Sequence, residues 1–123
     1  MQKIESDSEN NTGLQLNIAI NYGSKSEIVR AAKNLAKKVN LNEIEIHDID
    51  DKVFCENLYT VGQPDIDLLI RTGGEKRISN FMLWQCAYAE FYFTDTLWPD
   101  FSEKSFNSAV EEYFSRSRRF GGA

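Results

Sequence analysis

Ile70-Arg-Thr-Gly-Gly-Glu-Lys-Arg-Ile-Ser-Asn-Phe81 is the stretch on which the reading of this chain turns. It gathers Arg71, Lys76 and Arg77, the Gly73-Gly74 pair and the hydroxyl of Ser79 between two apolar segments. On its N-terminal side, Leu68, Leu69 and Ile70 form a short continuous apolar run between turn signals, the pattern of a strand buried on both faces. On its C-terminal side, Ser79 to Ala89 is apolar almost all round, which predicts a helix that is central or covered by a partner. Guanidinium groups offer a rigid planar fork to phosphate oxygens, so a strand, this loop and a helix suit the binding of a phosphate or diphosphate.

Working outward, Leu14, Leu16, Ile18 and Ile20 alternate with polar or small residues at the period of a strand that stops at Tyr22-Gly23. Ser24-x-x-Glu27 has the spacing of a capping box. Ile28, Ala32, Leu35 and Val39 follow at helical spacing as far as Asn40, with Lys33, Lys37 and Lys38 on the outer face. Asp48, Asp50 and Asp51 supply a cap and favourable charge for a second helix carrying Val53, Phe54 and Leu58, closed by Gly62 and Pro64. Phe91-Tyr-Phe-Thr94 reads as a third strand. After Trp98-Pro99, Ser102 caps a last helix with Phe106, Ala109, Val110, Tyr113 and Phe114 on one face. Residues 1–13 are a polar lead-in, and Arg116 to Gly122 is a basic, glycine-ended tail. This order predicts an α/β fold, a parallel sheet flanked by helices, with ligands beyond the carboxyl ends of its strands.

Length and charge narrow the function. The chain has 123 residues, room for one core and no second domain. A net charge of −5 argues against a general nucleic-acid binder, which needs positive potential to draw the phosphate backbone. Yet five of the six arginines, Arg71, Arg77, Arg116, Arg118 and Arg119, lie after residue 70. Cys55 and Cys86 stand far apart and His47 is the only histidine, so neither a zinc site nor a disulfide framework is expected. No run approaches the ~18 apolar residues of a membrane span, and no leader opens the chain, so a cytoplasmic location is expected.

Each feature also has a plainer reading. Gly73-Gly74 can be an ordinary turn, and the spacing is not that of a Walker A loop. Arg71 and Arg77 can be surface residues paired with Glu75 or Asp67. Glu90, between Ala89 and Phe91, is harder to set aside, because a buried carboxylate needs a cation, a metal or a proton. Trp84, Tyr88, Phe91, Tyr92 and Phe93 read as core or subunit interface. His47-Asp48 reads as a loop and a cap.

Taken in order, Asn17-Ile-Ala-Ile-Asn-Tyr-Gly23, Asp67 to Phe81, Leu83-Trp-Gln, Ala87 to Asp95, Leu97-Trp-Pro-Asp-Phe101 and Arg118-Arg-Phe-Gly-Gly122 resemble the C-terminal half of the cis-prenyltransferases. The resemblance runs from about Leu14 to Gly122. It implies a condensation of isopentenyl diphosphate with an allylic diphosphate such as farnesyl diphosphate, dependent on Mg²⁺. It further implies that Arg71, Arg77 and Ser79 hold the diphosphate of isopentenyl diphosphate, with Ser79 opening a helix N-terminus that favours anions. Glu90 would help bind Mg²⁺ as a hard oxygen ligand. Gly121, in the family's Arg-x-Gly element, would reach toward the diphosphate site of a partner subunit. Glu90 begins its strand, however, at the end of the sheet away from the arginine loop, so a site completed across a dimer interface is expected.

The chain departs from the family at its beginning. The family's His-x-Met-Asp-Gly-Asn-Gly-Arg segment, whose aspartate binds Mg²⁺ and the allylic diphosphate, has no counterpart, and Gly23-Ser24-Lys25 stands where Gly-Gly-Arg is usual. Met1 would correspond to the middle of a full-length enzyme, as in a split or frame-shifted gene, a misplaced start or a deliberate subunit. The expectation is a chain that supplies the isopentenyl diphosphate site, contributes no catalytic residue of its own, and is inactive alone. It would act as a homodimer or with an N-terminal half, at the membrane periphery through a lipid product. A non-catalytic binding subunit and a decayed fragment are the alternatives.

Overall fold

Leu68–Arg71 (β1) and Glu90–Phe93 (β2) pair in parallel, Leu68 opposite Glu90 and Arg71 opposite Phe93, at the centre of a computed structural model that describes residues 6–116. Ahead of them come helix Ser24–Asn40 (α1), a 3₁₀ turn at Ile46–Asp48 and the short helix Asp51–Cys55 (α2). A second 3₁₀ turn at Trp98–Asp100 and helix Glu103–Ser115 (α3) follow. The α/β class and the parallel sheet are as the sequence predicts.

α1 ends at Asn40 as predicted, but its start is not capped as predicted. Gly23 is its N-cap and no side chain caps it. Ser24 and Glu27, expected as a reciprocal capping box, are instead fully buried and spent on tertiary contacts. The Ser24 hydroxyl accepts the Leu83 amide at 2.9 Å, and the Glu27 carboxylate accepts the Tyr59 amide at 2.6 Å, Gln85 Nε2 at 3.2 Å and the Tyr22 hydroxyl. The inward face therefore runs Ser24, Glu27, Ala31, Leu35, and Ala32 is exposed.

α2 is capped as expected, the Asp50 carboxylate accepting the Val53 amide at 2.8 Å. It stops at Cys55, well before Gly62, and the chain turns so that Leu58 drops into the core. α3 is capped by Ser102, whose hydroxyl accepts the Ser105 amide. Only Ala109 of its apolar residues is fully buried, and Phe106 and Phe114 lie exposed.

Two expected elements do not form. Residues 14–20 are not a strand, and Leu14 (92% exposed), Leu16, Ile18 and Ile20 all face outward. A strand needs a ladder partner for its amides and carbonyls, and among the described residues the sheet is β1 and β2 alone. Residues 79–89 are a series of turns and not a helix. Ser79, Asn80 and Met82 have φ of 46°, 65° and 47°, a left-handed run incompatible with a right-handed helix start. The Leu83 amide, which a helix would keep for itself, goes to Ser24.

The fully buried apolar residues among those described are Ala31, Leu35, Leu58, Cys86 and Ala109, a thin core. Aromatic contacts extend it: Trp84 lies 4.3 Å from Phe54 ring to ring and directs its Nε1 at Cys55 Sγ. Tyr88, read as core or interface, is 91% exposed.

Candidate active site

The loop after β1 is fastened to the segment after β2. The Gly73 amide donates to the Thr96 carbonyl and the Gly74 amide to the Thr94 carbonyl, both at 2.9 Å. Both glycines sit at positive φ, 84° and 77°, which residues with a Cβ adopt only at a cost. A Cβ on Gly74 would also come within 3.1 Å of the Asp95 carboxylate. The pair is thus a turn, as the plainer reading allows, and one docked at the carboxyl end of the sheet.

Here the structure brings together two of the predicted ligands. The half-buried Arg71 directs Nη1 to the Ser79 hydroxyl at 3.2 Å and to the Arg77 carbonyl. The Arg77 side chain, 67% exposed, pairs with Glu75 at 2.5 Å, as the plainer reading of the mixed charges also allows. Asp67, the other acid considered, accepts instead from the Tyr113 hydroxyl at 3.1 Å. Ser79 does not open a helix, so no helix N-terminus supports an anion there. What the loop offers is two guanidinium groups and a hydroxyl at the end of a parallel pair, where ligands of such sheets bind.

The support beneath Ser79 is not apparent from the pattern of the residues. Asn80 accepts the Ser24 amide on its backbone carbonyl at 2.9 Å and the Lys25 amide on its Oδ1 at 2.8 Å, tying the loop to the first turn of α1. Its tolerance of left-handed backbone was the only available signal. Behind it, Tyr22 packs edge-on to Phe81 at 5.6 Å and Tyr59 at 6.4 Å. Burial, and then the bond to Glu27, push the Tyr22 hydroxyl up to about 12.

Glu90 lies at the other end of the pair. Its half-buried carboxylate meets the Arg116 guanidinium at 2.8 Å, and the same guanidinium reaches the Phe91 carbonyl at 3.0 Å and Glu112 at 2.5 Å. Those carboxylates, Glu112 foremost, raise the Arg116 pKa further above its ordinary value. Of the three possible companions for Glu90, the structure supplies a cation. Among the described residues no three acidic, histidine or cysteine side chains converge as a metal site. Gly121, Arg118 and Arg119 lie outside the described residues.

The parallel α/β pairing with an arginine loop at its carboxyl end is the architecture of an α/β transferase class, and the comparisons with known proteins specify the family. A family model for undecaprenyl diphosphate synthase matches residues 1–121, and the chain belongs to this prenyltransferase family. It is 53% identical over 122 residues to ditrans,polycis-undecaprenyl-diphosphate synthase ((2E,6E)-farnesyl-diphosphate specific) of Haemophilus influenzae, covering 99% of this chain and 51% of that protein. It is also 53% identical to the isoprenyl transferase of Bacillus subtilis, covering 99% and 47%. Among solved structures it resembles lavandulyl diphosphate synthase from Lavandula x intermedia in complex with dimethylallyl diphosphate, with a TM-score of 0.95 at 41% identity, over 98% of this chain and 52% of that one. The chain spans about half the length of the curated relatives it matches. No helix among the described residues is long and apolar enough to cross a membrane.

Proposed function

We propose that this chain carries the isopentenyl diphosphate half of a cis-prenyltransferase site and works only with further polypeptide. Arg71, Arg77 and Ser79 hold the diphosphate, the arginines neutralising its charge and the hydroxyl donating to an oxygen. The observation that carries this reading is the 3.2 Å approach of the Arg71 guanidinium to the Ser79 hydroxyl beyond the carboxyl end of β1. Membership of the undecaprenyl diphosphate synthase family supports it.

Glu90 contributes one carboxylate to a shared Mg²⁺ site whose other ligands come from substrate oxygens, water or another polypeptide, the usual mode for this ion. Gly121 reaches a neighbouring subunit's diphosphate site. The allylic diphosphate is bound only when the remaining half of the enzyme is present, in a homodimer or beside an N-terminal half. Alone the chain does not turn over, and it acts in the cytoplasm.

Calorimetric titration of isopentenyl diphosphate into the folded assembly tests the grip. Replacing both Arg71 and Arg77 by glutamine is expected to weaken binding by at least about tenfold, each lost charge-assisted bond being worth ~1.5–3 kcal/mol. Unchanged affinity would dispose of the proposal. Co-expression with the remaining half of the Haemophilus influenzae relative is expected to restore chain elongation, and no turnover from the mixture would refute the pairing.

A further inference from the structure

Two neighbouring residues of the arginine loop are held in the left-handed region, Ser79 at φ 46° and Asn80 at φ 65°. Serine there costs about 1 kcal/mol or more, so something must hold it. Asn80 is the contact that does. Its backbone carbonyl takes the Ser24 amide at 2.9 Å and its Oδ1 takes the Lys25 amide at 2.8 Å, two of the amides that α1 leaves unpaired at its start. Its Nδ2 lies just 3.0 Å from where a Cβ on Gly23 would stand. Gly23 has φ −151° and ψ 119°, extended backbone open to any residue. Glycine at 23 is therefore explained by room for the Asn80 amide and not by its own backbone.

We infer that Asn80, seated over Gly23 and bonded to the first turn of α1, is the positioning residue that sets the Ser79 hydroxyl against the Arg71 guanidinium. The inference rests on the proposed diphosphate grip for its functional meaning, and on the contacts above for its structure. The side chain of Asn80 acts as the helix cap that Gly23 cannot supply, from 55 residues away in sequence. The start of α1 and the substrate loop are thereby one unit: displacing Asn80 frees Ser79 to leave its left-handed conformation, and Arg71 loses its hydroxyl partner.

The test compares Asn80→Gly, which keeps left-handed backbone accessible while removing the side chain, with Gly23→Ala, which keeps the side chain and pushes it away, and with the double variant. All are made in the full chain. Without ligand, amide exchange at Lys25 is expected to quicken about fivefold in either single variant, the loss of one hydrogen bond, while Leu35 exchange stays unchanged. The Arg71 guanidinium signals in NMR, slowed by Ser79 and the Arg77 carbonyl, are expected to average in both. The double variant should be no worse than Asn80→Gly, because the added methyl then has nothing to displace. Isopentenyl diphosphate affinity should fall about five- to tenfold in each single variant, in line with one or two lost hydrogen bonds.

Unaltered Lys25 exchange and Arg71 signals in Asn80→Gly, or additive effects of the two changes, would overturn the positioning role. So would wild-type affinity in all variants of a chain that does bind isopentenyl diphosphate. If the unaltered chain does not bind it, the proposed function falls, and the positioning role is decided by the two ligand-free readouts.

Discussion

Glu90 stands opposite Leu68 at the start of the parallel pair, whereas Arg71 stands opposite Phe93 at its end. Three residues of strand separate the two levels, roughly 10 Å at the usual rise per residue. The carboxylate and the arginine grip therefore do not form one site within this chain. Glu90→Gln is expected to leave metal-free isopentenyl diphosphate affinity within about twofold of wild type, since surface changes at that distance couple weakly. A tenfold loss by calorimetry would mean that the two ends communicate.

The Glu90–Arg116 bond also ties the end of α3 to the sheet. Both side chains are about one-third exposed, so solvent screens the pair. Arg116→Ala should lower unfolding stability by about 1 kcal/mol, counting the hydrogen bond to the Phe91 carbonyl. Urea denaturation measures it, and no change would show that α3 is docked by Ala109 and Tyr113 alone.

Glu27 is 1% exposed and bonded to Tyr22, Tyr59 and Gln85. Glu27→Ala removes an acceptor from three segments at once and is expected to cost about 3 kcal/mol or more, with the Tyr59 amide left without its acceptor. A loss below about 1 kcal/mol in urea denaturation would contradict the central role given to this carboxylate.

Tyr22 links that cluster to pH. Its hydroxyl is raised from 10.0 to about 12 in the folded chain, so the fold favours the neutral form. That stabilisation is complete below pH 10 and is lost as pH rises through about 12. Denaturation midpoints followed between those limits should fall, and Tyr22→Phe should flatten the fall. An equally steep decline in the phenylalanine variant would place its origin elsewhere.

The helices were legible because their signals are local. α1 announced itself by periodicity and α3 by Ser102, and β1 by an apolar run between turns. Ser24 and Glu27 misled because their spacing fits a cap while their partners, Leu83, Tyr59 and Gln85, lie far along the chain. Residues 79–89 misled for a related reason: apolar composition does not reveal that three residues must turn left-handed to meet α1. Arg71 and Ser79 are grouped at the sequence level by the family resemblance, whereas their mutual contact, and Asn80 beneath it, become visible only once α1 is seen beside the loop.

The alternation at Leu14, Leu16, Ile18 and Ile20 has the period of a strand, yet no strand forms there: among the described residues the sheet is β1 and β2 alone, and the four side chains are exposed. An exposed apolar strip of this kind promotes association. The isolated chain is expected to self-associate in light scattering, and Leu16→Lys with Ile18→Lys should reduce that. Scattering of a clean monomer by the unaltered chain would contradict it.

The Gly73 and Gly74 amides are committed to the Thr96 and Thr94 carbonyls. Glycine-rich anion cradles ordinarily work by leaving such amides free to wrap an oxyanion. In this loop the peptide backbone has no such hydrogens to offer at those two positions, so the diphosphate grip proposed above rests on side-chain charge and shape.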